Sequence, residues 1–376
     1  MLYNYKKRQV TPRPDKELRI ENGRFGGYCS LFLGGLSLLA VLAYLFPSYL
    51  TTTELRAVYD AGNLQNLLKY GMWLSLGFGI SNFIINKRKR LGFAGASLTL
   101  IALGLGGYMV PVGSVDPKPL SLGVDWLIIA LLGSIVIFTT LEKLFPKYRD
   151  QVILRDEWKT DFLYFCVNHL LISVILLVGN YVVNYFDWVA NEALHQQVQG
   201  LPIAVQVLLL VICADFVLYW EHRLFHEHKK LWPFHAVHHS VETMDWLAGS
   251  RSHIVQTFIE RSLVLVMLHM LGADKAALDI YVLIAAIQAI VIHCNLKLHW
   301  GPLKYLIVTP QFHHWHHSSE APAIDTNYAA HTILFDWMFG TYHMPKGVWP
   351  AVYGTTKPLP RGFLNQMWYP FRKLFD

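Results

Sequence analysis

The sequence predicts an all-α, polytopic membrane protein, with about six to eight transmembrane helices and a helical, histidine-rich cap on the cytosolic side. Three observations predict it. Charged residues make up only 15% of the 376 residues and hydrophobic residues 53%, whereas soluble globular chains carry roughly 25% charge. Apolar runs near 20 residues, the length that crosses a bilayer, recur along the chain. Finally, 16 of the 18 histidines fall between His222 and His343, although imidazole is costly to bury unless it is paired or coordinated. This composition excludes a disordered, collagen-like or disulfide-stapled chain. Cys29, Cys166, Cys213 and Cys294 are widely spaced without a CxxC, which argues against a disulfide framework or a thiolate zinc site.

The apolar runs lie at about 25–46, 71–86, 92–112, 124–142, 162–186 and 201–220, with two weaker ones near 254–271 and 278–298. The first follows a long segment of mixed charge and is too long for the core of a cleaved signal, so it reads as a retained helix. The seventh contains Glu260 and Arg261 and reads as re-entrant or partly buried in protein. Lysine and arginine set the orientation. Seven lie in the first 24 residues, Lys87 to Arg90 follow the second run, and Lys143, Lys147, Arg149, Arg155 and Lys159 follow the fourth. The alternate loops are poor in them, with Arg56, Lys69 and Lys118 only. The positive-inside rule then puts the N-terminus and the histidine motifs in the cytoplasm. The net charge of +6 is accounted for by these loops; with no readout motif present, nucleic-acid binding is not expected. The polar stretch 146–159 suggests a boundary. Residues 1–150 form an N-terminal four-helix region of unassigned role, 151–345 a catalytic domain, and 346–376 a Pro-rich, aromatic tail at the membrane interface.

Three histidine motifs carry the chemistry. His222 and His226 form an HxxxH directly after the sixth run, which places both rings on one helical face. His235, His238 and His239 form an HxxHH, and His313, His316 and His317 form a second. On a helix, the first and second histidines of HxxHH are expected to share a face, with the third flanking them. Eight rings at ligand spacing on one side of the membrane point to metal. They are too many for one ion, since structural zinc takes four ligands and catalytic zinc usually three. Two ions sharing the set fit better, and a nearly all-nitrogen, carboxylate-poor pair suits O2 activation by iron while leaving zinc open. His293 is a ninth candidate ligand. Asp215, Asn295, His299 and His331 are candidates for supporting the ligands, Asp215 by holding a histidine in one tautomer. His228, His253, His314 and His343 read as supporting or surface residues, and His169 and His195 as structural. Single tryptophans such as Trp220, Trp232, Trp246 and Trp315 read as an interfacial belt.

From Trp158 to Tyr342 the chain resembles the fatty acid hydroxylase, or sterol desaturase, superfamily. The resemblance rests on Asp215-Phe-Val-Leu-Tyr219-Trp220-Glu-His222-Arg223-Leu-Phe-His226, His235-Ala-Val-His238-His239-Ser240 and His293-Cys-Asn295. It continues through Gly301-Pro302-Leu303, Thr309-Pro310-Gln311-Phe-His313-His-Trp-His316-His317-Ser318, Asp325-Thr-Asn327-Tyr328 and Phe335-Asp336-Trp-Met-Phe339-Gly340-Thr341-Tyr342. It implies a membrane di-iron oxygenase that hydroxylates or desaturates a lipid C–H bond with O2 and two electrons. The ligands it implies are His222, His226, His235, His238, His239, His293, His313, His316 and His317. The lead-in and the Gly340-Thr-Tyr342 close resemble the branch containing alkylglycerol monooxygenase, although Asn295 stands where that branch can carry an acid. No HPGG, CxxC or flavin glycine fingerprint occurs, so electrons are expected from a separate carrier of the cytochrome b5 or ferredoxin type. Two other classes share the ligand set: a di-zinc lipid hydrolase or isomerase, and a non-catalytic metal-binding or transport protein. A transporter would place its histidines at mid-membrane rather than beyond helix ends.

Overall fold

The computed structural model describes residues 24–52, 60–86, 89–111 and 122–374. The basic N-terminal segment, Arg56, Lys87, Arg88 and Lys118, on which the orientation partly rests, lie outside them. The fold is all-α: among the described residues only isolated bridges, such as Pro146 with Leu296, break the helical pattern. Two compact units meet between residues 116 and 117. The fourth apolar run belongs to the second unit because the C-terminal end of its helix is tied there. Glu142 accepts hydrogen bonds from the backbone N–H of Trp246 (2.8 Å) and of Asn295 (2.9 Å).

The first unit is built on α1 (Arg24–Leu45), α2 (Ala61–Ile85) and α3 (Arg90–Gly104). In a bilayer there is no hydrophobic gain from bringing two apolar helices together, so small residues and polar contacts take over. A Cβ on Gly34 would collide with the Gly95 carbonyl, and one on Gly95 with the Ser30 backbone. Ser30 and Ser75 each donate to the other's carbonyl at 2.9 Å, and Ser75 also meets Thr99 at 2.7 Å. Val41, Met72 and Ala102 complete the packing.

The second unit begins with α4 (Val124–Leu144), α5 (Trp158–Leu170) and α6 (Ile172–Tyr185). α7 (Ile203–Glu227), α9 (Ile254–Leu271) and α10 (Lys275–Val291) share a core that includes Leu210, Ala214, Val264, Met267, Ala277 and Tyr281. Above it lie the short helices α8 (Trp232–His239), α11 (Pro310–His316) and α12 (Leu334–Phe339). Proline stands in the first turn of α8 and α11, where its missing N–H costs nothing. The terminal helix α13 (Phe363–Lys373) packs Phe363 on Tyr164 and Phe371 on Phe234, leaving Leu364 and Trp368 outward.

Among the described residues, five helical stretches are long and apolar enough to cross a membrane: α1, α3 together with the turn that extends it to Met109, α4, α7 and α9. A sixth span arises if α5 and α6, bent by 52° at their junction, act together. α2 is long enough, but Ser75, Gly79, Ser81 and Asn82 dilute its apolar character. α10, with 17 residues, is short of a full span. α9 is a continuous helix through Glu260 and Arg261, not a re-entrant one. All four cysteines are free.

Candidate metal centre

The nine histidines singled out in the sequence come together in two groups. His222, His226, His235, His239 and His316 form the first, and His238, His293, His313 and His317 the second. Within each group the available ligand nitrogens lie within 4.8 Å of one another. His222 and His226 sit on the last turns of α7, not beyond it, because the helix outlasts its apolar run. Each HxxHH divides. In α8, His235 and His239 enter the first group and His238 the second; in α11 and at its C-cap, His313 and His317 enter the second and His316 the first. The sharing of a face by the first two histidines is thus corrected. An i+4 neighbour lies only about 40° round the helix from its start, an i+3 neighbour about 60° to the other side, so the i, i+4 pair is the closer one.

Most of the nine rings have Nδ1 held against an acceptor, and these partners fix the tautomer. His222 Nδ1 donates to the Tyr328 carbonyl (2.7 Å), His316 Nδ1 to that of Thr326 (2.9 Å), His238 Nδ1 to that of Arg251 (2.9 Å) and His293 Nδ1 to that of Ala289 (2.7 Å). His235 Nδ1 donates to Gln256 Oε1 at 2.9 Å, and His226 Nδ1 to Asp325 Oδ1 at 3.2 Å. A neutral ring whose Nδ1 carries the proton presents a lone pair at Nε2. Two such pairs of Nε2 atoms face each other, His222 and His235 at 2.9 Å and His238 and His293 at 3.2 Å, while His239 and His313 bring their Nε2 to within 3.1 Å of that of His226 and 2.9 Å of that of His293. His316 Nε2 is buried without any partner.

Lone pairs directed at one another across such distances repel unless a cation lies between them. Protonation is not the remedy. Burial, reinforced by the neighbouring rings, holds His235, His239, His293, His313, His316 and His317 well below the ordinary histidine range, and burial with the Arg251 charge holds His238 at about 4. Neutral imidazoles converging in two sets therefore fit two metal ions.

The supporting residues differ from those expected. Asp215 touches no histidine ring. Its carboxylate accepts from the backbone N–H of Ala330, His331 and Thr332 and from the Thr332 hydroxyl, at 2.6–2.9 Å, and so anchors the loop that follows Tyr328. Asn295 clamps the Tyr148 backbone at both N–H and carbonyl. His331 meets Gln288 and His299 is exposed. Gln256, Asp325 and four loop or helix-end carbonyls do the work instead. The Asp325-Thr-Asn327-Tyr328 stretch gave a signal, since Asp325 and Asn327 adopt left-handed backbone angles that favour Asn and Asp. Asn327 ties this loop to α11 by donating to the Phe312 carbonyl at 3.1 Å.

A buried ionic network backs the second group. Arg251, whose carbonyl holds His238, sends its guanidinium to Asp161, Glu157 and the Ser240 hydroxyl. Arg155 joins Asp161 to Asp245. The same residue thus grips α8 through its main chain and its side chain. Trp232, expected in an interfacial belt, lies against His226 and His239, with ring centroids 5.1 and 5.6 Å away.

Comparison with known proteins agrees with this geometry. Residues 207–341, which hold all nine rings, match the fatty acid hydroxylase family profile. Ornithine lipid hydroxylase OlsE of Rhizobium tropici is 31% identical over 255 residues, covering 66% of this chain and 76% of that protein. Alkylglycerol monooxygenase of Xenopus tropicalis is 30% identical over 151 residues, 40% of this chain and 33% of its own. Methylsterol monooxygenase 2-1 of Arabidopsis thaliana is 24% identical over 187 residues, 46% of this chain and 68% of its own. No solved structure matches the chain at a significant level.

Proposed function

The chain belongs to the fatty acid hydroxylase family, and from that premise we propose that it is an integral-membrane, di-iron oxygenase that hydroxylates a membrane lipid. The observation that supports this reading most is the pair of histidine groups with inward lone pairs at the ends of apolar helices. A bound iron pair would supply O2 activation at the expense of two electrons. The protein's own part is positional. The carbonyls of Tyr328, Thr326, Arg251 and Ala289, with Gln256 and Asp325, hold each ring in one tautomer and one orientation. Burial of the rings keeps bulk water from the centre and keeps the imidazoles neutral for ligation. The three relatives named above are hydroxylases or monooxygenases, which favours hydroxylation over desaturation. The first of them, matched over three quarters of its length, makes an ornithine lipid the first substrate to test.

The same reading places the N-terminus and the histidine groups in the cytoplasm, takes electrons from a separate carrier protein, and sets α13 against the bilayer surface through Leu364 and Trp368. Metal analysis of purified protein, combined with lipid profiling with and without O2, tests the proposal. Two irons per chain and an O2-dependent hydroxylated lipid are expected. Tightly held zinc with O2-independent turnover overturns it.

A further inference from the structure

We propose that a cavity at the C-terminal end of α4 is a headgroup site for an anionic phospholipid, with Lys143 and Arg149 holding the phosphate. The inference goes beyond the hydroxylase reading and does not depend on the chemistry at the histidine groups. The cavity has a volume of about 300 Å³, and its lining divides into three parts. Asp245 and Asn295, each 4% exposed, are the buried part. Leu144, Val152 and Ile153 form an apolar wall and are 65%, 48% and 51% exposed. Lys143 and Arg149 are exposed cations in the same lining.

The buried polar groups are already matched. Asp245 pairs with Arg155 Nε at 2.8 Å, and the Asn295 amide is taken up by the Tyr148 main chain. The cations are not matched. Among the described residues, Lys143 Nζ donates only to the Gln151 carbonyl, at 3.4 Å, and Arg149 has no hydrogen-bond or ion-pair partner. Lys147, the next cation along, is engaged elsewhere, 4.9 Å above the Trp349 ring. Position decides which anion fits. Leu144 is the last residue of a stretch apolar enough to cross a bilayer, so the cavity lies where acyl chains give way to headgroups. Basic pockets at the ends of membrane helices suit anionic headgroups, and Arg and Lys both pair well with phosphate. A soluble phosphate would use the two cations and leave the apolar wall in contact with water; a phospholipid uses both. The same segment is tied to the second histidine group. The Lys147 N–H donates to the Asn295 carbonyl at 3.1 Å, two residues beyond His293, and Gln151 Nε2 to the Met244 carbonyl at 2.8 Å. A lipid seated here therefore braces α4 against the segment that carries His293.

The test uses full-length protein in nonionic detergent, titrated calorimetrically with three probes. These are dioctanoyl phosphatidylglycerol, dioctanoylglycerol, which lacks the phosphate, and glycerophosphate, which lacks the chains. The wild type should bind one phosphatidylglycerol per chain, about tenfold or more tighter in Kd than either of the others, because two charge-assisted contacts to one phosphate exceed the free energy of one decade. Lys143→Ser combined with Arg149→Ser should bring phosphatidylglycerol to within about twofold of dioctanoylglycerol. The Tm of the lipid-free protein should not change, because both side chains are exposed. Ile153→Ser should weaken both chain-bearing probes and leave their ratio intact. If the double variant is unstable, each single substitution should cost phosphatidylglycerol roughly threefold, half a decade. Equal binding of phosphatidylglycerol and dioctanoylglycerol by the wild type, or a preference that survives the substitutions in folded protein, overturns the site. Glycerophosphate binding as tightly as the phospholipid makes this a soluble-phosphate site and overturns the lipid assignment. None of these readouts involves metal or O2, so failure here leaves the hydroxylase reading standing, and failure of that reading leaves this site.

Discussion

Replacing Gln256 with leucine should strip one metal position and spare the other. Gln256 Oε1 accepts the Nδ1 proton of His235 at 2.9 Å, and both side chains are nearly sealed from solvent, at 4% and 2% exposure. Leucine fills a similar volume but leaves that donor without an acceptor, at a cost of about 1–3 kcal/mol. It also frees the ring to turn, and loss of a ligand's outer partner typically lowers metal affinity by roughly 10–100-fold. His235 belongs to the first group alone, and the second keeps its own anchor, the Arg251 carbonyl on His238. Dialysis against graded chelator, followed by metal analysis, should therefore show wild-type protein holding two ions where Gln256→Leu holds one. Gln256→Glu, which preserves the acceptor, should restore the second ion. Parallel loss of both ions, or loss of neither, would refute the division into two groups and the role of Gln256.

Three other expectations follow from the geometry. His238→Ala and His316→Ala, one from each group, should each abolish turnover while the protein still inserts and extracts normally; turnover retained in both would remove the ligand assignment. Asp215→Ala should lower stability by at least about 2 kcal/mol, because buried backbone donors at Ala330, His331 and Thr332 lose their acceptor and each costs of order 1–3 kcal/mol; an unchanged Tm in detergent would count against the anchor. Acid should release metal and destabilise the fold. The folded rings are held well below the ordinary histidine range, with His238 and His314 at about 4, so the unfolded chain takes up protons first as the pH drops. The stability these rings contribute is complete above about pH 6.5 and lost progressively between there and about pH 4; a flat metal-retention profile across that window would contradict it.

The nine rings were legible because ligation demands spacing, and spacing is written in the chain. Their partition was not. His238 and His239 are consecutive, and only the roughly 100° step between neighbours on a helix sends them to different groups. The partners were less legible still. The Tyr328, Thr326, Arg251 and Ala289 carbonyls carry no side-chain signature, and Gln256 reaches His235 from another helix. Asp215 was conspicuous as an acid in an apolar run, but its partners are three main-chain amides over 100 residues away. Length and hydropathy do not show, either, that α2 spends its glycines and serines on α1 and α3.

The split of each HxxHH motif has a consequence for how such a centre can change over time. α8 and α11 each feed both groups. One residue inserted or deleted within either motif would turn the rings beyond it through about 100° and misdirect ligands at both positions in a single event. The two histidine groups are thus inherited as a unit. Intermediates with one sound site and one broken site are reachable by point substitution, as at Gln256, but not by a shift of frame along either helix.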